Sequence, residues 1–158
     1  MNLSDRRVLV TGAASGIGRA TVARLVAGGA RVAGFDVAAS DASGHDGLRH
    51  WRVDVSDETS VSAAVPDAVA WLGGLDVLVH VAGIMGAQRV PIDEVPVEVW
   101  DQVIAVNLRG TFLMSKHVIP QFAPGTGALV LVSSVAGVFF ASGSFPTAPA
   151  RAACTASR

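Results

Sequence analysis

The chain has 158 residues, 51% of them hydrophobic and 16% charged, with a formal net charge of −1. That length suits one domain with a real core, and the near-neutral charge withholds the basic footprint of a nucleic-acid binder. One cysteine, Cys154, leaves neither an intrachain disulfide framework nor a cysteine cluster for a metal.

The amino-terminal run MNLSDRRVLV has no apolar core of signal-peptide length. The longest apolar stretch, residues 128–141, is too short to span a membrane and holds paired serines and a glycine. A buried strand leading into a loop, in a soluble cytoplasmic protein, is the expectation.

Short β-branched runs alternate with segments of helical period, the pattern of βαβ units. The predicted strands are Arg7–Val10, Arg31–Asp36, Trp51–Asp54, Leu75–Val81 and Ala128–Ser133. Their near-continuous hydrophobicity fits strands covered by helices on both faces. Between them, Gly16–Ala27 reads as a helix ended by Gly28-Gly29, and residues 38–48 as a loop. Ser56 is the predicted N-cap of the next helix, with Asp57 and Glu58 favouring its dipole and Pro66 predicting a kink or break.

Residues 97–122 read as two helices divided near Asn107–Gly110. Over residues 111–122, Phe112, Leu113, Met114, Val118 and Ile119 form an apolar face with no second long helix to cover it. Such a face is expected to promote association or aggregation, with a homo-oligomer through residues 111–122 as the partner expectation. From Gly143 onward, small and turn residues replace clear periodicity. The expectation is one α/β domain over residues 1–158, a doubly wound parallel sheet truncated after its fifth strand.

Strand Val8-Leu9-Val10 runs into Thr11-Gly12-Ala13-Ala14-Ser15-Gly16-Ile17-Gly18 and then into a helix. Glycines there permit a tight turn, close approach of backbone to a pyrophosphate, and a phosphate held at the helix N-terminus. A Walker A loop is excluded, because Gly18-Arg19-Ala20-Thr21 lacks the phosphate-binding lysine. The second strand ends at Asp36, where a carboxylate can accept hydrogen bonds from both ribose hydroxyls of an adenosine. It repels a 2′-phosphate, and residues 13–15 and 37–38 include no arginine or lysine to neutralise one. NAD is therefore expected in preference to NADP.

These motifs, followed by Asp54-Val55, Val81-Ala82-Gly83, Val106-Asn107-Leu108 and Val132-Ser133-Ser134-Val135-Ala136-Gly137, resemble the short-chain dehydrogenases/reductases in their usual order. The similarity spans residues 5–137. It implies a Rossmann domain and a nicotinamide-dependent oxidoreductase acting on a small-molecule alcohol or ketone. Gly12, Ser15, Gly16, Ile17 and Gly18 would line the pyrophosphate, Asp36 the adenosine ribose, Asp54 and Val55 the adenine. Ala82 and Gly83 would lie beside the cofactor.

The family often reads Asn-Asn-Ala-Gly where this chain reads His80-Val81-Ala82-Gly83. Val81 lacks a side-chain hydrogen bond, which weakens the expected support of the sheet. His80, in a buried apolar strand, is expected to be a core histidine bonded to backbone rather than a general base.

By the same resemblance, Ser134 orients the carbonyl and Asn107 completes a proton relay. The bland alternatives are that Ser134 ends a strand and Asn107 caps a helix break. The family's proton donor, a Tyr assisted by a Lys four residues later, has no match. The chain has no tyrosine, and its one lysine, Lys116, precedes Ser134. The nearest register is Cys154-Thr155-Ala156-Ser157-Arg158, in which Cys154 and Arg158 keep the i, i+4 spacing. A thiol is shorter than a phenol, and an arginine beside it favours the thiolate, a poor donor to an alkoxide. The expectation is an NAD(P)-dependent oxidoreductase of the short-chain dehydrogenase/reductase type, inactive as this chain stands; a non-catalytic NAD-binding module or a non-functional truncated fragment is the alternative.

Overall fold

The computed structural model describes residues 3–38, 46–86 and 90–134. Five strands form one sheet: β1 (Arg7–Thr11), β2 (Arg31–Asp36), β3 (Leu48–Arg52), β4 (Val77–His80) and β5 (Ala128–Leu131). Their order is β3-β2-β1-β4-β5, and every neighbouring pair is parallel. Helix α1 (Gly16–Ala27) links β1 to β2, and α2 (Glu58–Leu72) links β3 to β4. Helices α3 (Val97–Ile104) and α4 (Gly110–Val118) precede β5. The expected α/β doubly wound sheet is present, with five strands among the described residues.

Alternation along the strands divides the core into two layers. Leu9, Phe35 and Leu78 face Val61, Val65 and Leu72 of α2 and Met114 and Val118 of α4. Val8, Val10 and Val32 face the other way and pack with Val22 of α1. Burial of each such side chain stabilises the fold by roughly 1.5–3 kcal/mol before entropy is counted.

Several boundaries differ from the sequence expectation. β3 begins at Leu48 and ends at Arg52, earlier than Trp51–Asp54, because Val32 aligns with Leu48 and Asp36 with Arg52. A polar strand is tolerated there because β3 is an edge, and the Arg49 guanidinium lies 4.7 Å from the Trp51 ring centroid. β4 is confined to Val77–His80, with Leu75 making an isolated bridge to Phe122. The N-cap of α2 is Asp57, whose carboxylate accepts from the Thr59 N–H at 2.9 Å. Ser56 instead donates its hydroxyl to Asp54 at 2.6 Å. Pro66 does not break α2; it stands on the exposed face of a continuous helix.

The division near Asn107–Gly110 is also absent. A π-helical turn, Ala105–Arg109, joins α3 to α4 without a break. Nor is the α4 face bare. Leu113, Met114 and Val118 are buried, Met114 and Val118 against α2 and the sheet, leaving Phe112 and Ile119 exposed. No helix among the described residues is long and apolar enough to cross a membrane.

The start of β1 is tied to the turn before β4 by Arg7. Its Nε and backbone N–H donate to Asp76 Oδ2 at 3.1 and 2.9 Å, Nη2 to Oδ1 at 2.6 Å, and Nη1 to the Gly73 carbonyl at 2.7 Å. The Arg7 guanidinium holds the Asp76 carboxyl below its ordinary range. A depressed acid contributes stability above its unfolded pKa and loses it as pH falls through the folded one. Asp76→Ala should therefore cost about 1–3 kcal/mol in urea unfolding at neutral pH. The native chain should lose stability on acidification below about pH 4 more steeply than the variant does.

Candidate functional site

The carboxyl ends of β1 and β4 meet at residues in exact register, Thr11 opposite His80. The Thr11 hydroxyl oxygen accepts from the N–H groups of Val81 and Ala82, each at 3.1 Å, and lies 2.9 Å from His80 Nδ1. An hydroxyl has two acceptor sites and one proton. With both acceptor sites occupied, the hydroxyl proton remains for the contact with His80 Nδ1. His80 is buried as expected, and its ring Nδ1 meets the Thr11 hydroxyl. This bond supplies the support that Val81 lacks; Val81 itself packs on the α1 side of the sheet.

Just beyond, Gly12 adopts φ 67°, and a Cβ there would meet the Ala82 backbone at 3.1 Å. Gly18, buried in the first turn of α1, lies so close to the Gly12 carbonyl that a Cβ would overlap it. At Gly16 nothing lies within 4 Å of the Cβ position. Ser15 is the N-cap of α1, but its side chain makes no capping hydrogen bond, and no acidic residue occupies the first turn. The positive end of the helix thus opens into space that an anion can fill.

Asp36 ends β2 beside this loop. Its Oδ2 accepts from the Ala14 N–H and its Oδ1 from the Ala38 N–H, both at 2.9 Å. Asp54, after β3, accepts from the backbone N–H and hydroxyl of Ser56, and Ser60 accepts from the Asp54 N–H. Gly12, Ser15, Asp36, Asp54, Val55, Ala82 and Gly83 line one cleft of about 360 Å³. Seven of the ten residues expected to hold a cofactor are thereby brought together. Gly16 and Ile17 are exposed at the helix end and Gly18 is buried behind Gly12.

The cleft also takes Phe35, Val53, Ile84, Gln102 and Val106. Of these only Val106 belongs to a motif; the end of β2, the segments after β3 and β4, helix α3 and the π-turn deliver them. A larger concavity of about 490 Å³ lies at the opposite end of β1, β4 and β5, between Leu3, Val77 and Ala128. It carries none of the loop residues, so the smaller cleft is the candidate site.

Asn107, buried in the π-turn, is not a helix cap. Its Oδ1 accepts from the Ile84 N–H at 2.8 Å and its Nδ2 donates to the Ile84 carbonyl at 2.9 Å. It therefore holds the wall of the cleft that follows Gly83. The Thr111 hydroxyl donates to the Asn107 carbonyl at 2.8 Å. Ser134 follows β5 at the same carboxyl edge of the sheet. Lys116 pairs with Glu58 at 2.6 Å and, with His117, holds the Glu58 carboxyl low. It joins α4 to α2. Cys154 and Arg158 lie outside the described residues.

Two substitutions test this geometry. Gly18→Ala should prevent the native loop from closing on Gly12, seen as the loss of its amide pattern in a heteronuclear NMR spectrum. Thr11→Val, which keeps the shape but removes the hydroxyl, should cost about 2–4 kcal/mol in chemical unfolding, because two amides and an imidazole lose their partner.

The sequence profile of the short chain dehydrogenase family matches residues 6–150. Among curated relatives, the chain is 41% identical over 140 residues to 2-dehydro-3-deoxy-L-rhamnonate dehydrogenase (NAD(+)) of Sphingomonas sp. (strain SKA58), covering 85% of this chain and 55% of that one. It is 44% identical over 144 residues to cis-4-hydroxycyclohexanecarboxylate dehydrogenase of Sinomonas cyclohexanicum, covering 85% of this chain and 57% of the relative. The chain thus spans little more than half the length of these relatives. Aldohexose dehydrogenase of Thermoplasma acidophilum superposes with a TM-score of 0.86 at 29% identity, covering 96% of this chain and 58% of that structure. Five parallel strands, a glycine loop closed on itself and a match over most of the length agree: the chain belongs to the short-chain dehydrogenase/reductase family.

Proposed function

We propose that residues 1–158 form an NAD-binding domain of an oxidoreductase that interconverts an alcohol and its ketone. The observation that carries the reading is Asp36. Its two oxygens are each fixed by one backbone N–H, from Ala14 and Ala38. The remaining lone pairs can accept from the two ribose hydroxyls of an adenosine, and the fixed negative charge disfavours a phosphate in their place.

The residues present fit the group. Gly12, Ser15, Gly16, Ile17 and Gly18 would hold the pyrophosphate at the open end of α1. Asp54 and Val55 would border the adenine, and Ala82 and Gly83 the nicotinamide side. A bound nicotinamide supplies or accepts the hydride. Ser134 would orient the substrate carbonyl, while Asn107 fixes the wall beside it through Ile84.

Among the described residues none is placed to act as the proton donor. The sequence has no tyrosine, and Lys116 is engaged with Glu58. A protonated group poised at the developing alkoxide is needed for carbonyl reduction, so the 158-residue chain is proposed to bind the dinucleotide without turning it over. The cytoplasm is its proposed location, and the exposed Phe112 and Ile119 are the surface through which two copies would associate.

NAD should raise the melting temperature of the chain more than NADP at equal concentration; saturation to one hundred times Kd corresponds to about 2.7 kcal/mol. Asp36→Ala should remove that preference and lower the stability of the free chain by about 1–2 kcal/mol, because two amides lose their acceptor. No shift with either nucleotide would contradict the cofactor reading. NADH formation across a panel of alcohols would contradict the absence of turnover.

A further inference from the structure

Residues 13–15 and 37–38 bring no arginine or lysine to the ribose position, yet the register of β2 and β3 places basic residues on the same face of the sheet as Asp36. Gly34 aligns with His50 and Asp36 with Arg52. Aligned residues of a parallel pair share a face, and residues two apart share it again. His50, Arg52 and Asp36 therefore all lie on the α1 side of the sheet, at its carboxyl end.

The His50 imidazole occupies the space that a side chain at position 34 would take. A Cβ on Gly34 would meet Nδ1 at 2.6 Å, Cε1 at 2.8 Å and the Ala13 Cβ at 3.0 Å. The ring is thus fixed between the β2 backbone and the glycine loop. Its Nδ1 is buried and has no hydrogen-bond partner among the described residues. A protonated Nδ1 would lack an acceptor, which favours the neutral ring. Burial pulls the imidazole below the usual histidine range, and the negative charge of Asp36 pulls it back up.

Among the described residues, the other charged groups on the elements around this ring are Arg49 and Arg52 of β3, Arg31 of β2, Asp46 in the preceding turn, and Arg19 and Arg24 of α1, all exposed. The loop 12–15 has none. Asp36 is the one whose field acts on the ring.

We propose that His50 sets the charge of the ribose subsite. Neutral, it leaves Asp36 to reject a 2′-phosphate. Protonated, it offsets the Asp36 charge and, with Arg52 beside it, admits one. The subsite then selects NAD at alkaline pH and loses that selectivity as the pH falls through the titration of His50. The inference rests on the dinucleotide reading above and adds to it a pH-dependent choice between two cofactors.

A 2′-phosphate itself gains a proton near pH 6 and becomes easier to hold at any site, so the test compares two proteins. Dissociation constants for NAD and NADP are measured by calorimetry from about pH 8 to about pH 5.5 on the full chain and on His50→Gln, which stays polar and does not titrate. On acidification the ratio Kd(NADP)/Kd(NAD) should fall about three- to tenfold further in the native chain than in the variant.

The unmodified chain gives a second readout. By reciprocity, saturating NADP must raise the midpoint of the His50 Cε1–H NMR titration above its value with NAD. An identical pH course in both proteins, or a His50 midpoint indifferent to NADP, overturns the proposal while leaving NAD binding intact. Failure of both nucleotides to bind at any pH overturns the dinucleotide reading and this proposal together.

Discussion

The Thr11 hydroxyl is the interaction on which the site depends. The sheet grows in both directions from β1, with β2 and β3 on one side and β4 and β5 on the other. Chains leaving β1 and β4 must diverge, and a crevice opens between them. At that point one oxygen holds two amides of the β4 exit and a buried imidazole. The contact keeps Ala82 within 3.1 Å of the space above Gly12, so the floor of the cleft is set before any ligand arrives. Loss of that oxygen would remove the acceptor of two amides and a contact of a buried imidazole at once, which is why a small side chain has a large role.

The walls are built the same way, by backbone held on side chains. Asp36 grips Ala14 and Ala38, Asn107 grips both polar groups of Ile84, and Asp54 holds Ser56. Two of these, Asp36 to Ala14 and Asn107 to Ile84, tie separate segments together and stiffen the cleft without a continuous core around it. They also give each residue two duties. Asp36 is at once a candidate ribose acceptor and the anchor of the glycine loop, so changing cofactor preference at this residue alone also loosens the phosphate side.

The parts of this arrangement that sequence makes legible are those whose cause is local. The glycine loop follows from backbone demands at Gly12 and Gly18, and β1 and β2 follow from unbroken apolar runs in a covered sheet. β3 is obscured because an edge strand can be polar, and Leu-Arg-His-Trp-Arg has no clean alternation. The π-turn is illegible because its cause is tertiary: Asn107 lies there to reach Ile84, twenty-three residues away. Pro66 misleads in the other direction, since an exposed face tolerates a proline that a buried one would not. His50 is invisible without register, because its neighbours Gly34 and Ala13 come from two other segments.

The central claim is that the cleft between the glycine loop, Asp36 and Ala82 is where a dinucleotide binds. Backbone amide chemical shifts of the isotope-labelled chain, followed while NAD is added, test it most directly. The largest shifts should fall on Gly12 to Gly18, on Asp36 to Ala38, on Asp54 and Val55, and on Ala82 and Gly83. Shifts gathered instead around Leu3, Val77 and Ala128, at the other end of the sheet, would contradict the account.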